Sequence, residues 1–157
     1  MRLRIIGCTG SMSGPDSPAS CYLLQALGPD QRTGRQRTWN LVLDMGPGSF
    51  GELWRYIEPT NIDAAIFSHC HADHMGDVIS LHVYRRWGPG AYCDPMVLAG
   101  PACLPGRVRQ IDGAGEEEDY STEFIFKELS DTQTWDLGPF TVSAARAWHS
   151  VPASGIR

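Results

Sequence analysis

The stretch HCHADH at positions 69–74 places three imidazoles and one carboxylate within six residues. Residues 64–68, AAIFS, precede it as a short apolar run typical of a buried strand, and residues 75–87 follow it with helical spacing. The hexapeptide is therefore expected at the carboxyl end of a strand, where α/β sheets usually place their sites. Because the whole chain has only five histidines, a surface turn explains this density poorly.

The spacing within the hexapeptide divides its polar side chains into two groups. Side chains at positions i and i+2 of an extended segment point the same way, so we expect His69 and His71 to share one cation. Asp73 and His74 lie where the chain bends into the helix, and we expect them to face a second cation nearby. Imidazole and carboxylate ligands without thiolate suit zinc (Zn²⁺), with iron or manganese as substitutes.

The two remaining histidines lead to different predictions. His149 follows residues 140–147, FTVSAARA, which are predicted as the last strand, so it also stands at a strand exit. A third imidazole on the first cation would complete the three protein ligands of a catalytic zinc site, and the alternative is a lone histidine in a terminal loop. His82 lies in the predicted helix and is expected to be a partly buried helix residue rather than a ligand.

Length and composition indicate one soluble globular domain. The 157 residues are 42% hydrophobic and 20% charged, and the net charge of −5 disfavours a general nucleic-acid-coating surface. We find neither a membrane-spanning apolar stretch nor a secretion signal at the amino terminus, so the expected location is the cytoplasm. The five cysteines include no C-x-x-C pair, which favours reduced thiols, with Cys70 turned away from the cation and inert.

The rest of the chain is predicted as alternating strands and helices of an α/β domain. Residues 3–8, 21–27 and 38–45 are expected to form an antiparallel meander. The other predicted elements are a helix at 50–57 with Leu53, Trp54 and Ile57 inward, strands at 63–68, 96–99 and 124–129, and a short helix after Pro105. Residues 132–137 are expected only to lead into a Gly-Pro turn.

These motifs resemble the metallo-β-lactamase fold hydrolases, and within them the ribonuclease Z-like and cyclic-phosphodiesterase-like branch. The segment LVLDMGPG at 41–48 is similar to the first motif of the family, and the hexapeptide at 69–74 matches the second completely. His149 is similar to the metal ligand of the third motif. The small-residue loop GCTGSMSGPDSPASCYLL at 7–24 also resembles this branch, so the resemblance covers nearly the whole chain.

The resemblance implies roles for these residues. His69, His71 and His149 would hold one zinc, while Asp73 and His74 would contribute to a second, with manganese or iron(II) as substitutes. Asp44 would support a ligand histidine without touching the metal. In the complete family a metal-activated hydroxide attacks a phosphodiester or another polarised centre, RNA being one such substrate, and Asp73 would orient or deprotonate that water.

Family members continue into a second half that supplies a bridging aspartate and a last histidine, whereas this sequence stops at Arg157. We therefore expect residues 1–157 to form the first half of an αββα sandwich, with a mixed, mainly antiparallel sheet, flanking helices and the C-terminal half missing. Several interpretations stay open. They are a truncated phosphodiesterase, a thioester or lactone hydrolase of the same fold, a metal-binding but inactive half-domain, a homodimer that shares the site, and a nucleic-acid-binding module without chemistry.

Overall fold

The computed structural model describes residues 1–131 and 133–157. Within these residues the strands are β1 (Arg2–Gly7), β2 (Cys21–Pro29), β3 (Gln36–Leu43), β4 (Ala64–Ile66), β5 (Met96–Gly100), β6 (Phe124–Glu128), β7 (Thr134–Leu137), β8 (Phe140–Ala147) and β9 (Ala153–Ile156). The helices are α1 (Ser49–Trp54), α2 (Ala72–Met75), α3 (Val78–Arg86) and α4 (Leu104–Asp112), and a 3-10 turn spans Pro59–Asn61.

Six strands form one mixed sheet in the order of the sequence, from β1 to β6. Strands β1 to β3 pair antiparallel, which confirms the predicted meander. Strands β3 to β6 pair parallel, and such neighbours need crossover connections, which the four helices supply. The carboxyl ends of β3, β4 and β5 therefore lie side by side at one edge of the sheet.

The helices cover one face of this sheet. Leu53 of α1, Leu81 of α3 and Val108 of α4 are fully buried in one cluster with Leu23 and Phe67 of the sheet region. Apolar side chains recur on the inner side of α1, α3 and α4, and their removal from water supplies the main favourable free energy of folding. This cluster fixes the helices relative to the strand ends that carry the hexapeptide.

A second, three-stranded antiparallel sheet of β7, β8 and β9 packs against the opposite face. Phe140 and Val142 of β8 are buried against Trp39 and Ile66 of the large sheet. The layers run helix, sheet, sheet, which is half of an αββα sandwich and confirms the predicted fold class. Among the described residues, no helix has the length and apolar character needed to cross a membrane.

The cover by the second sheet does not extend to the edge strand β1. Leu3 pairs with Leu24 and Leu24 with Leu41, so these three side chains share the face on which the second sheet packs. Leu3 is 58% exposed, and Ile5, two residues along the same strand face, is 59% exposed. The second sheet therefore covers this apolar face at β3 and leaves it exposed to solvent at β1.

Three predicted details were wrong for physical reasons. Trp54 is 42% exposed, because α1 ends at this residue. The helix expected at 75–87 begins at Ala72 and breaks before Val78, since the amide of Asp77 bonds to the carbonyl oxygen of Met45 at 2.9 Å. Residues 134–137 form β7, whose Trp135 packs in the second cluster, and residue 132 of that segment lies outside the described residues.

Candidate metal centre

Three imidazoles from two distant parts of the chain meet at the carboxyl edge of the large sheet. One ligand atom from each of His69, His71 and His149 lies within 4.8 Å of the other two. The ring centroids of His69 and His149 are 4.5 Å apart, and that of His71 is 5.0 Å from each. His69 is buried, His71 half-buried and His149 exposed. The group is thus anchored inside and open to solvent on one side, as a catalytic metal site requires.

Strand pairing explains how residues so far apart in sequence come together. The amide of Ser154 donates to the carbonyl oxygen of Ser68 at 2.8 Å, and His69 forms an antiparallel bridge with Ala153. These contacts fasten the start of β9 onto the hexapeptide. The turn between β8 and β9, which carries His149, is therefore held over His69.

Asp44 follows β3 and connects the two neighbouring strand ends. It is buried and adopts a left-handed backbone conformation with φ of 56°, which aspartate tolerates better than most residues. Its Oδ1 accepts a hydrogen bond from the amide of Ser68 at 2.8 Å, and its Oδ2 accepts one from the Ser68 hydroxyl at 2.9 Å. The same Oδ2 lies 2.7 Å from Nδ1 of His74. Asp44 thus contacts His74 directly.

Ser68 extends this support to a second histidine. Its hydroxyl oxygen lies 3.0 Å from Nδ1 of His69 while it donates to Asp44. Sequence reasoning did not identify this role, although Ser68 directly precedes the hexapeptide. The consequence is that Nδ1 of both His69 and His74 is occupied by an oxygen partner, which leaves Nε2 of each ring for a metal.

The pKa values of the two supported histidines shift in opposite directions. The pKa of His69 is lowered, first by burial and then by the nearby imidazoles of His74 and His149, so the neutral ring that a metal needs is favoured. The pKa of His74 is raised, chiefly by its hydrogen bond to Asp44. A carboxylate that strengthens proton binding at an imidazole also makes that ring a stronger metal ligand.

Asp73 and His74 form a smaller group beside the first. Oδ2 of Asp73 lies 3.5 Å from Nε2 of His74, and the ring centroid of His74 is 4.1 Å from that of His69. In the part of the chain that the structure describes, no third donor joins this pair within the spacing of the first group. The binding of a second cation by this pair stays a prediction.

The loop after β3 packs directly on the hexapeptide. The amide of Met45 donates to the carbonyl oxygen of His74 at 2.6 Å. The α-carbon of Gly46 faces the carbonyl oxygen of Asp73 so closely that a β-carbon would collide with this oxygen and with Ala19. Glycine at position 46 therefore allows the two loops to approach each other.

Cys70 within the hexapeptide and His82 in α3 both lie apart from the histidine group. His82 is buried, with its ring packed against Trp87 and Tyr120, and is not part of the histidine group. It is more deeply buried than the sequence predicted. Cys70 is also buried, which raises the pKa of its thiol to about 12, with neighbouring Cys103 as the next cause. Cys70 is therefore an inert, protonated thiol at neutral pH.

The family model of the metallo-beta-lactamase superfamily matches residues 16–99. These residues include Asp44 and the whole hexapeptide, and they make up more than half of the chain. The chain belongs to the metallo-beta-lactamase superfamily. This superfamily is metal-dependent, in agreement with the donor set at the sheet edge.

Known proteins similar to this chain include relatives from several organisms. An uncharacterised protein of Mycobacterium tuberculosis is 34% identical over 159 aligned positions, which cover 100% of this chain and 55% of the relative. The crystal structure of the Bacillus subtilis metallo-beta-lactamase fold protein YhfI has a TM-score of 0.76 at 22% identity, over 99% of this chain and 57% of that one. The short form of human tRNase Z has a TM-score of 0.72 at 18% identity, over 98% of this chain and 63% of that one. The chain spans about half the length of the curated relatives it matches.

Proposed function

We propose that this chain carries the metal-binding part of a zinc-dependent hydrolase that cleaves phosphodiester bonds. The observation that supports this most strongly is the grouping of His69, His71 and His149, with ligand atoms within 4.8 Å of one another at an edge open to solvent. Three imidazoles without thiolate are a typical ligand set of catalytic zinc, and manganese or iron(II) are the substitutes that such donors accept. Membership of a metal-dependent superfamily supports the same proposal.

The phosphodiester substrate is proposed from the similar proteins. One neighbour of the same fold is named a tRNase, and RNA is joined by phosphodiester bonds. A bound divalent cation would lower the pKa of a bound water molecule. It would also stabilise the negative charge that develops on the phosphoryl group. This chemistry fits a histidine group that faces solvent.

The residues around the group have separate proposed roles. Asp73 is half-buried beside His74, so its carboxylate is available to orient water or accept its proton. Asp44 orients the ring of His74, and Ser68 orients the ring of His69. Fixed rings reduce the loss of side-chain freedom on metal binding, which strengthens the site.

Metal analysis of the purified chain, paired with cleavage of bis(p-nitrophenyl) phosphate, tests the proposal. We expect bound zinc in the wild type and its loss in H71A and H149A, because each change removes one of three ligands. W148A is the matched control, since Trp148 lies in the same turn as His149 with a fully exposed side chain. A folded wild-type protein that binds no zinc would overturn the proposal, as would an H149A variant that binds zinc as tightly as the wild type.

A metal-binding chain without catalysis is the second candidate. The observation that favours it is the pairing of Asp73 and His74 alone, where a second cation would need further ligands. Zinc binding without turnover of the phosphodiester, of a thioester or of a lactone would support it. A protein that gains activity only as a dimer in size-exclusion chromatography would instead support a site shared by two chains.

A further inference from the structure

Two grooves meet at the histidine group, and their charges are opposite. The first, here called the arginine groove, has a volume of about 640 Å³ and begins at His71. It runs along α4, where Arg107, Arg109 and Gln110 line it, and none of its described lining residues is acidic. In a chain with 18 acidic and 13 basic residues, a groove without a carboxylate departs from the average surface.

The second groove, here called the acidic groove, lies on the other side of the turn that carries His149. Its volume is about 440 Å³, and Glu128, Asp131 and Arg146 line it. A substrate that crosses the histidine group therefore meets two carboxylates and one guanidinium on one side and two guanidinium groups on the other. An anionic part of the substrate is attracted to the side of His71.

Arg107 is held beside the metal ligands but has no acidic partner. Its Nε donates to the carbonyl oxygen of Cys70, the residue between His69 and His71, at 3.3 Å. Its Nη1 donates to Oε1 of Gln110 at 3.0 Å. No carboxylate of the described chain lies within 4.0 Å of its guanidinium, and Nη2 has no acceptor there.

Arg109 also lacks an acidic partner among the described residues. Its Nη1 donates to the carbonyl oxygen of Glu118 at 3.2 Å, and no ion pair with a described residue neutralises it. Arg86 provides the contrast, because two carboxylates, those of Glu118 and Glu123, neutralise its charge. Half-buried guanidinium groups that are oriented by neutral acceptors and lack an acidic partner suit phosphate oxygens.

We propose that Arg107 and Arg109 form an anion subsite that binds a second phosphate group next to the bond that is cleaved. The substrate class is then a phosphodiester with a further phosphate on the side of His71, as in a short nucleic-acid strand, rather than an isolated phosphodiester. This inference deepens the proposed function and rests on it for the position of the cleaved bond. Arg107 acts here as a specificity-determining residue.

Isothermal titration calorimetry with the metal-free protein measures phosphate binding at the subsite independently of activity. The probes are thymidine 5′-monophosphate and thymidine, which differ by one phosphate. We expect the wild type to bind the monophosphate about 10- to 100-fold more tightly than thymidine, the range that one charged hydrogen-bonded contact supplies. R107A should lose most of this difference, and R107K should keep part of it because lysine retains charge but not the planar fork.

R35A is the matched control, since Arg35 is an exposed arginine in the β2–β3 loop. It should leave the preference for the monophosphate over thymidine unchanged. R109A supplies a second variant if the loss of the Arg107 contact to Cys70 unfolds the protein. Equal binding of the two probes by the wild type would overturn the subsite, as would equal effects of R107A, R109A and R35A.

The outcome separates the subsite from the proposed reaction. If zinc-loaded protein cleaves bis(p-nitrophenyl) phosphate while the preference for the monophosphate over thymidine is absent, the subsite is wrong and the hydrolase stands. If the preference depends on Arg107 while no phosphodiester is cleaved, the subsite stands and the hydrolase is wrong.

Discussion

Two histidine–carboxylate pairs in this chain contain the same chemical groups but differ in their exposure to solvent. Oδ2 of Asp44 lies 2.7 Å from Nδ1 of His74, whose side chain is 22% exposed. Oε1 of Glu123 lies 3.0 Å from Nδ1 of His82, and these side chains are 0% and 2% exposed. The first pair borders the histidine group, and the second is enclosed between α3 and the start of β6.

The environment of the second ring nitrogen separates the two pairs. Nε2 of His74 faces Asp73 beside other imidazoles, where a cation could replace a proton. Nε2 of His82 is 4.0 Å from Asp112, and Glu123 also pairs with Arg86. Neither Oε1 of Glu123 nor Nδ1 of His82 has a hydrogen-bond partner among the described residues, so the close contacts of Oε1 with His82 and Arg86 are mainly electrostatic. We therefore expect a histidine–carboxylate pair to support a metal site only where the other ring nitrogen faces further ligands, as that of His74 does.

The substitution E123A should have the largest effect in this comparison, and the effect should be on stability alone. It leaves His82 and Arg86 without the carboxylate they share, and breaking a buried ionic contact costs about 3–5 kcal/mol. Urea unfolding of the chain measures this loss, and zinc content per folded molecule should stay unchanged. E116A, at an exposed loop position, is the control and should change stability by less than about 0.5 kcal/mol. Wild-type stability in E123A would contradict the assignment of Glu123 to the core.

The substitution D44N should have the opposite profile, a smaller effect on stability and a clear effect on metal affinity. Asparagine keeps the shape of the side chain but removes the charge that supports His74, so we expect zinc to bind about 10- to 100-fold more weakly. Competition with a chromophoric zinc chelator measures the affinity. D94N, which changes an exposed aspartate in a loop, serves as control. If D44N and D94N bound zinc equally well, the two pairs would not differ as described.

The substitution S68A should have the smallest effect. It removes the hydroxyl between Asp44 and His69 but keeps the backbone amide bond to Asp44 and the direct contact of Asp44 with His74. One hydrogen bond of this kind is worth about 1 kcal/mol, so zinc affinity should fall by about five-fold, less than in D44N. The same chelator titration gives the ranking. A loss in S68A greater than in D44N would mean that support reaches the site through His69 rather than His74.

Much of the fold followed from local patterns in the sequence. The alternating segments at 3–8, 21–27 and 38–45 predicted the meander, and the apolar run before the hexapeptide predicted a strand exit at His69. The strand exit at His149 suggested a third ligand beside His69 but left a terminal-loop histidine as the alternative, and the family resemblance then implied the grouping, because no local pattern reports a contact across 80 residues. The structure brings these side chains together, and their binding of metal stays a prediction.

The details that sequence reasoning missed depend on contacts between distant segments. The spacing of Trp54 predicts an inward residue, yet α1 ends at Trp54 and the side chain stays 42% exposed. The bond from Arg107 to the carbonyl oxygen of Cys70 joins α4 to the hexapeptide, and nothing near Arg107 in sequence indicates it. Ser68 was adjacent to the motif, but its role depends on the buried carboxylate of Asp44.

The close approach of Gly46 to the carbonyl oxygen of Asp73 has a consequence for mutagenesis. In a random library selected for zinc binding, position 46 should tolerate as few replacements as the histidines, although glycine has no side chain to offer. Even alanine would push the loop after β3 away from the hexapeptide and shift the imidazole rings of the hexapeptide. A residue can therefore be indispensable to a metal centre through the space that it leaves empty.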